Sequence, residues 1–285
     1  MSHLIPTPRL SLRDFTPARV SLATTGHSIA TTEVLNFQLA HAQARDAVHA
    51  LFHLPSFAKR LDNELPILSE ASIPVLQLQT NAPNRATYLR QPILGRTLHP
   101  NSVAQLQPAC IDLAIIIADG LSALAVERNA IPLLAHLLPQ LLVAGWTMAP
   151  LTLVQQGRVA IGDPIGFHLG ASLSLVLIGE RPGLSSPDSL GAYLTWHPHP
   201  NRTDADRNCL SNIRDGGLTP ESAGARLLLY LHAARARQIT GTSLKEGSIE
   251  LKATATSLKT NSPINPQRTN LFESVIERPR NETTD

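Results

Sequence analysis

Cysteine is nearly absent: Cys110 and Cys209 are the only two in 285 residues, too few for a disulfide framework. That favours a reducing, cytoplasmic setting with both thiols free. A charge imbalance is missing too, because 24 Lys and Arg stand against 22 Asp and Glu, a formal net charge of +2, and no Lys/Arg block stands out. Without a basic stripe, a nucleic-acid footprint is not expected. The opening "MSHLIPTPRLSLRDFTP" lacks the apolar core of a signal peptide. The most apolar stretch, 133–146, is broken by His136, Pro139 and Gln140 and is too short to span a bilayer. Neither G-x-G-x-x-G, G-x-x-x-x-G-K-[ST] nor G-x-S-x-G occurs in the loops where they would matter, so ordinary dinucleotides, nucleoside triphosphates and serine-hydrolase chemistry have no motif to rest on.

What is present is a chain that is 43% hydrophobic and 16% charged, enough for one large or two modest domains. Three parts are expected: a mostly helical stretch over residues 1–100, an α/β region over 101–244, and a polar, disordered tail over 245–285 with too few apolar residues to offset the entropy of ordering it. In the first part, Thr31 or Thr32 is placed as the N-cap of a helix reaching about His53. Its predicted apolar face holds Val34, Phe37, Ala40, Ala44, Ala47, Val48, Leu51 and Phe52. A second stripe, Gln38, His41, Arg45, His49 and His53, reads either as a solvated face or as a partner surface. His49 and His53 lack a third ligand for a metal.

The middle part alternates strand and helix. "DLAIIIADG" (112–120) is a continuous apolar run of the kind covered on both faces, followed by a helix from Ser122 to about Val143 with Gly145 as its stop. "APLTLVQQG" (149–157) makes a second strand, "GDPIGFHLG" (162–170) a short helix and "SLSLVLIGE" (172–180) a third strand. This order implies a Rossmann-like parallel sheet with flanking helices. Ligands in such sheets sit at the strand carboxyl ends, so the loops at Asp119-Gly120, Gly157-Arg158-Val159 and Gly179-Glu180-Arg181-Pro182-Gly183 are expected to frame a crevice.

Other chemistry-bearing residues find no constellation. Ser185, Ser186 and Ser189 have no base fixed near them, and His197 and His199 read as loop histidines for which Asp204, Asp206 or Cys209 would be an arbitrary third ligand. Cys209, near Arg207, is either an activated thiolate or a small buried pocket residue. Asp119 either orients a ligand hydroxyl or caps the helix at Ser122.

Several stretches then resemble a specific family. "FTPARVSL" (15–22), "LNFQLAHAQARDAVH" (35–49), "NRATYLRQPILGRTL" (84–98), "DLAIIIADGLSALAVERNA" (112–130), "QGRVAIGDPIG" (156–166), "LIGERPGLSSPDSLGAYLTW" (177–196) and "RTDADRNCLSNIR" (202–214) are similar to signature segments of the small (light) subunit of ethanolamine ammonia-lyase. The resemblance runs from about residue 14 to 244 in consistent order. Thr24-Thr25 before Gly26 departs from the family pattern, and the tail has no counterpart.

The resemblance implies a non-catalytic subunit of an adenosylcobalamin-dependent lyase that converts ethanolamine to acetaldehyde and ammonia in ethanolamine degradation. A TIM-barrel large subunit would carry substrate and radical chemistry, with the cofactor supplying the hard step. Carried over residue by residue, the cobalamin contacts fall on Val159, Glu180 and Cys209, with no metal ligand from this chain. None of the eleven histidines lies in a D-x-H-x-x-G context, which implies that the nucleotide base stays on cobalt. The implied partner is the large subunit, in a higher-order hetero-oligomer in the bacterial cytoplasm, with packaging inside an ethanolamine-utilisation microcompartment left open. The alternative is a free-standing α/β enzyme with its own catalytic set at the strand ends.

Overall fold

A computed structural model describes residues 11–245, and the expected polar tail lies outside them. The chain opens with a two-stranded hairpin, β1 (Thr24–Thr25) and β2 (Ser28–Ile29), followed by α1 (Thr31–His49), α2 (Leu54–Glu64) and α3 (Ile67–Glu70). Then come β3 (Val75–Gln79), α4 (Arg85–Arg90), α5 (Pro100–Val103), β4 (Ile111–Ala118), α6 (Ala123–Val143), β5 (Leu151–Gln155), α7 (Gly162–Leu169), β6 (Ala171–Gly179), β7 (Leu190–Trp196), β8 (Arg207–Ile213) and α8 (Pro220–Arg237).

Six strands form one sheet in the order β3-β5-β4-β6-β7-β8. The apolar run Leu113–Ala118 is fully buried on both faces and lies in the interior of the sheet, as its lack of alternation requires. Strands β3, β5, β4 and β6 are parallel, as expected for the segments joined by helices. Strands β7 and β8 run antiparallel, so the sheet is mixed rather than purely parallel. The reason is loop length: residues 180–189 are too few for a helical crossover, and the chain must fold straight back on β6. Strand β3 is a further correction, since it comes from the stretch expected to be mostly helical and pairs with β5 at the sheet edge.

Helix α6 is capped by the Ser122 hydroxyl, which accepts from the Ala125 amide at 3.2 Å. With α8 it covers Leu175, Leu177, Ala192, Leu194 and Leu210, the buried residues of one face. Helix α7 covers the other face, and Gly162 lies so close to the Val176 side chain that any Cβ would collide with it. Helix α7 has only eight residues and reaches β8 at Arg207, through Asp163, while Tyr193 stays half-buried and Cys209 and Ser211 exposed on the part of that face beyond it.

Helix α1 departs from its predicted shape. Ala30 is the N-cap and makes no side-chain cap bond, so neither Thr31 nor Thr32 fills that role. The helix stops at His49 rather than His53, because Pro55 opens the first turn of α2 and the chain before it turns extended. Only Ala40, Ala44 and Ala47 of α1 are buried, while Val34, Phe37 and Leu51 stay 39%, 45% and 56% exposed. Every member of the stripe Gln38, His41, Arg45, His49 and His53 is exposed. No helix among the described residues is long and apolar enough to cross a membrane.

Candidate functional site

The carboxyl ends of β4, β5 and β6 meet as the sequence pattern requires, and their loops interlock through backbone. Gly120 has a φ of +56°, a region that side chains rarely tolerate, and a Cβ there would strike the Gly179 carbonyl. The Leu121 amide donates to that same carbonyl at 2.9 Å. Asp119, 1% exposed, accepts from the Gly157 amide at 3.2 Å and so joins the end of β4 to the loop after β5. It does not cap α6, a role Ser122 fills. Burial raises its pKa to about 7 against the opposing pull of Arg85.

Helix α4 places Arg85 and Tyr88 behind these loops. Arg85 Nη1 donates to the Gly120 carbonyl at 2.7 Å and lies 3.4 Å from Asp119, while Nε donates to the Val48 carbonyl at 2.7 Å. Two guanidiniums lie over the Tyr88 ring, Arg85 at 4.9 Å and Arg158 at 4.2 Å, and its hydroxyl donates to the Gly157 carbonyl at 2.9 Å. Desolvation pushes the Tyr88 pKa well above its ordinary value, so it stays a neutral donor.

In front of this layer is a cavity of about 420 Å³ lined by Tyr88, Leu121, Arg158, Val159, Ile178, Gly179, Glu180, Arg181 and Tyr193. Val159 and Glu180, named from sequence, therefore share one site. Cys209 lies beside it: strand register sets Val176, Tyr193 and Cys209 in one row across β6, β7 and β8, on the face that α7 covers at Val176 and leaves open at Cys209. Ile178 and Gly191 form the next row. Gly191 is closely walled, because a Cβ would lie 2.9 Å from both Glu180 Oε1 and Tyr193 Cε2 and would have to displace those side chains.

The Glu180 carboxylate is already occupied. It accepts from the Ser189 hydroxyl at 2.5 Å, the Ser211 hydroxyl at 2.6 Å and the Asn212 amide at 3.2 Å. About one of its four acceptor positions is left for anything else. Cys209 is exposed, not buried, and desolvation of its thiol raises its pKa, with Glu180 adding to the shift and a hydrogen bond with Tyr193 opposing it. An activated thiolate is thereby corrected. Arg207 does not supply the activation because its guanidinium is committed to Asp163, with bonds of 2.6 and 2.7 Å.

The other candidates stay apart. Ser185 donates to the Pro17 carbonyl at 3.3 Å, and His197 and His199 stack edge-on at 6.0 Å in the loop after β7. No cluster of three or more metal-binding side chains exists among the described residues. Arg85, Tyr88, Tyr193 and Ser211 went unnoticed from sequence, since only strand register and the packing of α4 bring them to the site.

Residues 7–245 match the family model of the ethanolamine ammonia-lyase light chain. The ethanolamine ammonia-lyase small subunit of Pseudomonas putida is 49% identical over 255 residues, covering 86% of this chain and 91% of its own length. That of Pseudomonas paraeruginosa is 49% identical, covering 84% and 87%, and that of Pseudomonas syringae pv. tomato is 47% identical, covering 84% and 83%. The chain belongs to the ethanolamine ammonia-lyase light chain family.

Proposed function

We propose that this chain is the cofactor-holding small subunit of an adenosylcobalamin-dependent ethanolamine ammonia-lyase, working with a large subunit that carries the substrate and converts it to acetaldehyde and ammonia. One observation carries the reading: Val159 and Glu180 line a single cavity at the strand carboxyl ends, and Cys209 continues it along a bare sheet face. A broad, flat macrocycle fringed with amides suits that surface. Tyr193 and Val159 give apolar area at the edge of the core beneath, Gly191 and Cys209 keep the sheet low, and Glu180 holds one acceptor position for an amide N–H. The bound cofactor supplies the cobalt–carbon bond whose cleavage starts the reaction. This chain's residues bind and orient, because the polar groups at the cavity are engaged with one another rather than poised as an acid and base.

The name small subunit borne by the relatives implies a larger companion. The exposed stripe Gln38, His41, Arg45 and His49 on α1, next to exposed Val34 and Phe37, offers a mixed polar and apolar surface for it. The assembly is proposed as a hetero-oligomer of the bacterial cytoplasm, with any encapsulation in a microcompartment arising through the partner.

The test is to purify the chain alone, the large subunit alone and the two together, and to assay acetaldehyde from ethanolamine with adenosylcobalamin. Activity should require both chains. Turnover by the isolated chain, or full turnover by the large subunit without it, overturns the proposal.

A further inference from the structure

Two guanidiniums, Arg158 and Arg181, line the cavity that also holds Glu180. Arg158 is held in place: it lies on the Tyr88 ring at 4.2 Å, and its Nη2 donates to the Tyr88 carbonyl at 3.3 Å. Its Nε is buried without a hydrogen-bond partner, and it forms no ion pair among the described residues. Arg181 is exposed and likewise has no ion pair among the described residues. The only carboxylate in the lining, Glu180, is engaged by Ser189, Ser211 and the Asn212 amide. Two guanidiniums therefore face one carboxylate whose acceptor positions are mostly taken, and the net positive charge sits on one fixed, part-buried donor and one exposed donor, which is the chemistry of an anion site.

The cofactor reading narrows which anion. The corrin fringe consists of uncharged amides, and the single peripheral anionic group is the phosphodiester of the nucleotide tail. Resting on that reading, we propose that Arg158 and Arg181 form a subsite for this phosphodiester, so that the cavity takes the tail while the bare face of β7 and β8 takes the macrocycle. Arg158 is the fixed donor, its fork preset by stacking. Arg181 closes over the phosphate from the loop after β6.

Equilibrium binding to the reconstituted two-subunit complex tests this, with adenosylcobalamin and adenosylcobinamide as probes. The second keeps the corrin and adenosyl group but lacks the nucleotide tail. Arg158→Ala should weaken adenosylcobalamin binding roughly tenfold or more and Arg181→Ala several-fold, the range of a lost charge-assisted hydrogen bond. Adenosylcobinamide should bind all three proteins within about twofold of one another. Arg158→Lys, which keeps the charge and loses the fork, should fall between wild type and Arg158→Ala. If both probes weaken alike, if neither changes, or if the variants instead lose association with the large subunit, the assignment is overturned. Cys209→Trp separates this from failure of the cofactor reading itself. If it weakens both probes while the arginine variants do not discriminate, only the phosphodiester assignment falls; if it leaves both unchanged, the cofactor site has been misplaced.

Discussion

Glu180 and Ser189 sit at opposite ends of one ten-residue loop and close it with a 2.5 Å hydrogen bond from hydroxyl to carboxylate. The strand before the loop and the strand after it are thereby clamped at their mouth, and Ser211 ties β8 to the same carboxylate. Removing the carboxylate by Glu180→Ala leaves these donors near a solvent-open cavity where water can replace it. The expected stability loss is about 1–2 kcal/mol, while cofactor binding by the two-subunit complex weakens clearly. Urea denaturation gives the first and equilibrium titration with adenosylcobalamin the second. An unchanged cofactor Kd would remove Glu180 from the site.

Gly120 should tolerate no side chain. Its φ of +56° and the Gly179 carbonyl in the path of a Cβ act together, so Gly120→Ala combines backbone strain with a clash against rigid main chain. A loss of at least about 3 kcal/mol is expected. Gly145→Ala is the internal control, because its φ of +71° is similar while nothing lies within 4 Å of a Cβ. Denaturation of the two variants side by side should show a much larger loss at Gly120, and equal losses would mean that backbone conformation alone sets the effect.

Asp163 and Arg207 form a two-pronged ion pair with side chains only 3% and 4% exposed, joining α7 to β8 beneath the bare face. Burial works against the charge on Arg207, and its bonds to Asp163 outweigh that penalty, so its pKa rises. Taking away one partner strands a buried charge: Asp163→Asn should cost about 3–5 kcal/mol. The double variant Asp163→Leu/Arg207→Met removes both charges and should regain most of that loss. A double variant less stable than Asp163→Asn would show that the pair itself, not the stranded charge, carries the stability.

Much of the site was legible because local pattern and topology agree there. The apolar run at Ile111–Ala118, the Ser122 cap and the glycines after β5 and β6 each specify local geometry, and parallel connections then bring their ends together. Val159 and Glu180 followed from that arrangement, but their link to cobalamin came from family resemblance rather than from any local signal. Cys209 looked buried because its type usually is; it is exposed because α7 meets β8 only at Arg207, through Asp163, and covers nothing further along the strand, a tertiary fact. Strands β7 and β8 were not expected, because no helix joins either to its neighbour: β7 returns on β6 across a ten-residue loop and β8 pairs antiparallel with β7. The α1 face failed differently. Its apolar residues have helical spacing, yet within α1 only the alanines are buried; Phe52 packs inside beyond the helix end, Val48 is half-buried, and Val34, Phe37 and Leu51 stay exposed because no element of the described structure covers them.

Asp119 should leave a pH signature in stability. Its pKa rises from an ordinary 3.8 to about 7 because burial penalises the carboxylate more than Arg85 and the amides of Gly157, Gln156 and Gly120 stabilise it. Between those values the folded chain holds a proton there that the unfolded chain has released, so stability falls as pH rises from about 4 to 7 and is level above. The size of the effect is on the order of 4 kcal/mol at full development. Asp119→Asn keeps the side-chain shape, cannot ionise, and adds a constant cost from facing Arg85 with an amide. Stability of the wild type relative to Asp119→Asn, measured by urea denaturation from pH 4.5 to 8, should therefore decline through that window and then flatten. A difference that stays constant with pH would mean that Asp119 titrates in the folded chain as it does in water, and that Arg85 and the surrounding amides fully offset its burial.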